Sequence, residues 1–140
     1  MAGARGNAWL GWWPAPQAAL DIAGEWIPSK DMLHEDAPIT LPGPWDTFVA
    51  RRAVTIPVAQ AHRNVVVSVL GDNGTLTGVI INGSYMRRHH HAIGPRTDLN
   101  VTPWVQFGRE NHLSLVHGNG PGTAAIKSVA LHFYDKDVYP

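Results

Sequence analysis

Apolar and polar residues alternate most regularly over residues 126–134, where Val129, Leu131 and Phe133 fall on one side and Ser128, Ala130 and His132 on the other. A period of two marks a half-buried strand, because successive side chains of an extended chain point to opposite faces. Shorter runs rich in Val and Ile predict further strands at 24–27, 51–56, 65–70, 76–81, 85–89, 97–101 and 112–117. No segment sustains an apolar period of 3.6, so no long helix is expected. Thr102-Pro103-Trp104-Val105 reads as one helical turn, with Thr102 as N-cap and Pro103 at the first helical position. Many short strands divided by Gly, Pro and Asn turns predict an all-β sandwich or barrel.

The turn at Asn82-Gly83 gives this set of strands a direction. Asn-Gly readily takes positive φ at both central positions of a two-residue type I′ hairpin, so strand 76–81 and strand 85–89 are antiparallel neighbours. With Asn82-Gly83 at a lower end, segment 90–96 lies at the upper end and 108–111 turns at the bottom. Segment 118–123 then returns to the top, and the same alternation places 71–75 and 45–48 there. The upper end therefore collects Trp45, Asp46, Asp72, Asn73, Arg88, His89, His90, His91, Arg96, His117 and Asn119.

Composition narrows the ligand. The 140 residues correspond to one domain, which buries about 70% of its unfolded surface and needs no staple. Eleven basic residues balance eleven acidic ones, and only 16% of the chain is charged. Nucleic acid and anionic membrane both call for clustered positive charge, so neither is an expected partner. No stretch of about 18 apolar residues occurs, so no transmembrane helix is expected, and no secretory apolar run follows Met1. Cysteine is absent, which excludes disulfides and thiolate metal sites without fixing a compartment.

Several pieces of the chain fall in a familiar order. They are Gly24-Glu25-Trp26, Leu41-Pro42-Gly43-Pro44-Trp45-Asp46, Ala50-Arg51-Arg52 with Ile56-Pro57, Ile81-Asn82-Gly83, Asp98-Leu99-Asn100-Val101-Thr102-Pro103, and Gly108-Arg109-Glu110-Asn111-His112-Leu113. In this order and spacing the chain, from about Leu20 to Tyr134, resembles the N-terminal jelly-roll domain of glycoside hydrolase family 2, which includes β-galactosidases, β-glucuronidases and β-mannosidases. The resemblance implies a jelly-roll β-sandwich of the galactose-binding-like type. It also implies that loops 71–75 and 89–95 are those that family members turn toward a catalytic barrel. The family's catalytic glutamates belong to that barrel, so the resemblance implies a non-catalytic accessory module that needs no cofactor.

The upper-end residues suit a saccharide. Asp, Asn, Arg and His side chains donate to and accept from hydroxyl groups, and a flat ring covers the C–H face of a pyranose. Trp26, Trp45 and Trp104 are expected mainly as packing residues, yet Trp45 is also the upper-end candidate for the aromatic plate. The ligand-binding set is thus Trp45, Asp46, Asp72, Asn73, Arg88, His89, His91, Arg96, His117 and Asn119. Arg87, Arg88 and Arg96 suit the carboxylate of a uronic acid, so the expected carbohydrate is neutral or uronate-containing. Asp46 and Asp72 are the only upper-end carboxylates to weigh as a hydrolytic pair, and neither lies in a motif that raises a pKa.

Other readings compete. His89 and His91 lie two apart in an extended segment, and with His117 they would supply three ligands for zinc or copper, although the spacing matches no common site. Arg51 or Arg52 is expected to pair with a carboxylate at a strand end. Residues 1–19 form a segment rich in tryptophan, with Trp9, Trp12 and Trp13, expected to pack on a sandwich spanning 20–140. A belt across an open sheet edge, a sugar platform and an interface with another subunit are its three readings. The contrasting function is a structural or interaction module that completes another protein's active site, as a homo-oligomer or beside a partner catalytic domain.

Overall fold

The computed structural model describes residues 15–71, 76–88, 96–117 and 124–137. Eleven strands run through them: β1 (Ala18–Asp21), β2 (Gly24–Ser29), β3 (Ile39–Leu41), β4 (Gly43–Trp45), β5 (Val49–Thr55), β6 (Arg63–Gly71), β7 (Leu76–Ile81), β8 (Ser84–Arg87), β9 (Arg96–Asn100), β10 (Glu110–His117) and β11 (Ala124–Asp135). They form two antiparallel sheets. One has the order β3-β2-β5-β10-β7-β8; the other runs β1-β11-β6-β9, with β4 also pairing β11. Strands β1 and β4 share one edge of β11, at Ala130–Phe133 and Ala124–Ile126 respectively, while β6 occupies the other. The chain is an all-β jelly-roll sandwich.

All eight strands expected from the apolar pattern are present. Strands β1, β3 and β4 were not legible, being three or four residues long and, for β3 and β4, separated only by the cis Leu41–Pro42 bond. Strand β1 also straddles the Ala19/Leu20 position at which the sequence divides into segment and sandwich. The helical turn is a 3-10 turn at Thr102–Trp104, but Val101 stands at its N-cap and no side chain caps it. Thr102 is instead inside the turn, where its Oγ1 accepts from the Val65 amide at 2.8 Å. It therefore ties β6 to the turn rather than starting a helix.

Alternation on β11 is confirmed by register. Val129, Leu131 and Phe133 oppose Val69, Val67 and Val65 of β6 and face the core, where Trp26, Leu41, Val79, Ile81, Leu113 and Leu115 meet them from the other sheet. The reversal at Asn82-Gly83 is equally plain: φ is 49° and 87°, and Ile81 pairs with Ser84 across it.

A buried asparagine fastens that lower end. Asn111 is fully buried, and its Nδ2 donates to the carbonyls of Gln106 at 2.8 Å, Arg109 at 3.0 Å and Val54 at 3.3 Å. Its Oδ1 accepts from the Gln106 amide at 2.7 Å and from Asn82 Nδ2 at 2.8 Å. Asn82 adds an exchange with His112: its amide donates to the His112 carbonyl and its Oδ1 accepts from the His112 amide, each at 2.9 Å. Hairpin and loop thus share one polar knot, and the direction of the strands above it is fixed.

Candidate functional site

Strand pairing brings the loop ends together at the pole opposite Asn82. Gly71, which closes β6, pairs with Ile126, and Leu76, which opens β7, pairs with His117. Arg96 at the start of β9 lies opposite Leu70, and the Arg88 amide donates to the Thr77 carbonyl at 2.6 Å beyond the end of β8. Ala124 at the start of β11 lies opposite Trp45. Loops 72–75, 89–95 and 118–123 consequently leave and re-enter the sandwich at one end. The turn after Trp45 and the loop between β2 and β3 reach the same end, since Ser29 pairs with Val49 and the His117 amide donates to the Phe48 carbonyl.

At the centre of this rim the two sheets are tied by side chains. Trp45 is only 2% exposed, and its Nε1 donates to Thr47 Oγ1 at 2.9 Å, which in turn donates to the Val49 carbonyl at 2.9 Å. The register of β10 against β7 shifts between Val116 and His117, a bulge that re-aims the last side chain of the strand. His117 stands edge-on to Trp45, with ring centroids 5.0 Å apart. Trp45 therefore fills the packing role expected of it, and no face of its ring is open to serve as a sugar plate.

The other expected site residues divide. Asp46 is exposed beside Trp45, and Arg88 and His117 are half-buried at the ends of β8 and β10. Arg96 starts at the rim but turns along β9, where its Nε donates to Asp98 Oδ2 at 2.5 Å and its Nη2 to Oδ1 at 3.4 Å. Its charge is thus already answered by a carboxylate. Asp72, Asn73, His89, His90, His91 and Asn119 lie outside the described residues. So do two of the three histidines weighed as a metal site, and among the described residues no cluster of three His or carboxylate side chains is placed to hold a metal ion. Arg51, within β5, pairs with a carboxylate as expected, but the partner is Glu35 of the 30–38 loop and not a residue at a strand end, while Arg52 donates to the Glu25 carbonyl at 2.9 Å.

Apolar groups at the same end escaped the sequence reading. Leu33 is 82% exposed, and its neighbour Met32 and, in the turn after Trp45, Phe48 are exposed as well. The 30–38 loop holds the first two outward by its own bonds: Ser29 Oγ accepts from the Met32 amide, and Asp31 Oδ1 accepts from the Leu33 and His34 amides, all at 2.9 Å. Met32 adopts a positive φ of 66° there. The signal present in the sequence was the pair Met32-Leu33 inside an otherwise polar loop.

Neither a family model nor a curated protein matches this sequence. Solved structures do match in fold. A β-glucuronidase of Dictyoglomus thermophilum superposes with a TM-score of 0.67 at 14% identity, over 88% of this chain and 29% of that one. A β-glucuronidase of an uncultured Clostridium gives 0.68 at 14% identity, over 88% of this chain and 30% of that one. A glycosyl hydrolase family 2 member of Bacteroides cellulosilyticus gives 0.61 at 18% identity, over 82% and 20%. The chain spans less than a third of the length of these enzymes, and its fold is the jelly-roll fold found within them.

Proposed function

We propose that this chain is a non-catalytic carbohydrate-binding or accessory module of the kind found in family 2 glycosidases, with its ligand surface at the rim opposite Asn82. The observation that supports this reading most is the convergence of three loops at that rim, on a rigid frame locked by Trp45, Thr47 and His117. Asp46, Arg87 and Arg88 offer hydroxyl and carboxylate partners there, and His89, His91, Asp72, Asn73 and Asn119 belong to the loops that leave it. The ligand class is a neutral or uronate-containing glycan. Affinity electrophoresis through a panel of polysaccharides tests the proposal. Retardation that is lost in Asp46→Ala and His89→Ala but kept in the lower-end control Arg109→Ala supports it; no retardation on any glycan overturns it.

A second reading has its own observation. Exposed Met32, Leu33 and Phe48 at the rim are the kind of apolar groups that another protein surface covers, and the three fold neighbours named above are much longer chains. On this reading the rim completes a partner's pocket and binds no sugar alone. A hetero-complex or dimer in solution that Leu33→Asp dissolves, with no glycan retardation, favours it.

A further inference from the structure

Strand β8 closes one edge of the six-stranded sheet, and among the described residues no strand pairs its outer side. The hairpin settles which of its backbone groups face outward. Ile81 pairs with Ser84 across the two-residue turn, and the Arg88 amide donates to the Thr77 carbonyl at 2.6 Å. Hydrogen-bonded and non-bonded pairs alternate along an antiparallel ladder, so 77/88, 79/86 and 81/84 carry the bonds between β7 and β8. Pairs 78/87 and 80/85 carry none, and the amides and carbonyls of Tyr85 and Arg87 therefore point away from β7. Their side chains stand exposed on the outer face of the sheet, whereas Met86 packs against the core from the inner one. The Tyr85 ring leans back over β7, where a Cβ on Gly78 would come within 3.0 Å of it, so it does not cover the edge of its own strand.

We infer that this edge pairs with β8 of a second copy of the chain, antiparallel about a two-fold axis through Met86. A strand edge with outward donors and acceptors is a template for another strand, and a two-fold lets one patch complement itself. Chemistry fixes the register. Centred on Met86, the arrangement sets Tyr85 opposite the partner's Arg87 and Arg87 opposite the partner's Tyr85. Each of these two pairs exchanges both of its hydrogen bonds, so every outward amide and carbonyl of Tyr85 and Arg87 is answered. Centring on Arg87 sets two guanidiniums directly opposite each other, which like charges disfavour. Centring on Tyr85 carries Arg87 past the partner strand to the turn, and each of these shifted registers keeps one bonded pair within β8 where the first has two.

The side chains agree with that register. A charge such as Arg87 ordinarily guards an edge strand against pairing. Here it falls beside the ring of Tyr85 of the partner subunit, which is 51% exposed, and a guanidinium against an aromatic ring is an attractive cross-strand pair. The two Arg87 side chains are staggered by two residues along the strands, roughly 7 Å, and do not face each other. On the inner face Met86 meets the partner's Met86, an apolar pair continuous with both cores. Antiparallel pairing turns the two rims to opposite poles, so the loops of each copy stay open, and the two six-stranded sheets run on as one.

Single cysteines in the full chain test this, because the sequence has none of its own. About the proposed axis the two copies of position 86 form a non-bonded pair with Cα atoms about 4.5 Å apart, within the span of a disulfide. The two copies of position 85 are roughly 8 Å apart, beyond it. Under mild oxidation Met86→Cys is expected to run as a linked dimer on a non-reducing gel and Tyr85→Cys as a monomer. Linkage of Tyr85→Cys alone, of both alike or of neither overturns the proposal. Sedimentation gives a second readout on the unmodified chain, which is expected to dimerise with rising concentration. Arg87→Pro removes an outward amide without breaking a bond to β7, and is expected to raise the dimer Kd at least about tenfold. A monomer up to millimolar concentration, or a dimer that Leu33→Asp dissolves and Arg87→Pro leaves intact, overturns the proposal.

Discussion

The imidazole of His117 meets the indole of Trp45 edge-on, with centroids 5.0 Å apart and planes at 74°. One residue closes β10 of the six-stranded sheet and the other closes β4 of the five-stranded sheet, so the contact joins the two layers under the loops. Changing either residue therefore acts on the frame before it acts on any ligand. Trp45→Phe puts a smaller aromatic ring in place of the indole and removes the donor to Thr47, the lost bond alone costing about 1–2 kcal/mol. Trp45→Ala opens a cavity and costs roughly 3–5 kcal/mol. Urea denaturation with an unchanged m-value measures both, and loss of glycan binding in Trp45→Ala alone is a packing effect.

Asn111→Ala strips five hydrogen-bonding groups of their buried partner at once. The expected loss is about 3 kcal/mol or more, since orphaned buried groups each cost roughly 1–3 kcal/mol when water cannot reach them. Asn82→Ala adds a positive-φ penalty to lost bonds and is expected to cost about 2 kcal/mol. A double-mutant cycle on the two asparagines, read by chemical denaturation, is expected to show non-additivity because they share the 2.8 Å bond.

Gly78 lies in β7 where the edge strand β8 presses closest. A Cβ there would sit 2.3 Å from the Met86 carbonyl oxygen and 3.1 Å from the Arg87 Cα, both backbone atoms that cannot turn aside. Gly78→Ala is expected to push β8 off the sheet, seen as faster amide exchange over Ser84–Arg87 with β10 still protected.

The 30–38 loop carries a pH-dependent clasp. His34 Nδ1 meets Asp31 Oδ2 at 2.7 Å, and this bond, with the His34 and Leu33 amides, holds the Asp31 carboxyl well below the usual carboxylate range. The same bond raises the His34 pKa. Raised histidine stability is present below about pH 6.5 and fades as pH climbs through the raised value; depressed aspartate stability is present above about pH 3.9 and fades as pH falls below it. The loop is thus held best between those limits. Both groups are exposed, so the readout is local: the His34 titration by NMR is expected above the ordinary histidine value and to fall back in Asp31→Asn.

On the outer face of the five-stranded sheet the sign is opposite. Burial holds the His132 pKa down, with the Asp98 charge only partly offsetting it. Its neutral form belongs to the folded state, so its stabilising share is present above about pH 6.5 and is lost as pH falls through its depressed value. His132→Gln is expected to flatten the stability profile over that acid window in denaturation curves taken at a series of pH values.

What was legible in the sequence follows from which signals are local. Alternation at Val129, Leu131 and Phe133 marks a strand by itself, and Asn82-Gly83 marks a reversal by itself, so the sheets and their polarity could be read. Strands β3 and β4 are too short to alternate, and they exist because β2 and β11 offer them edges, which only the fold supplies. For the site, clustering at one end was legible because it depends only on strand direction. Side-chain aim was not: Arg96 turns away from the rim to a carboxylate two residues on, and Trp45 turns inward to Thr47, choices that depend on neighbours across the sheet.

The rim is tested most directly by mapping amide chemical shifts of the full chain during titration with a neutral oligosaccharide and, separately, a uronate-containing one. The expected result is saturable shifts at Asp46, Arg88 and His117 and in the loops between, with Asn82, Arg109 and Asn111 unmoved. Shifts confined to the Asn82 end, or none with either sugar at millimolar concentration, would contradict the account.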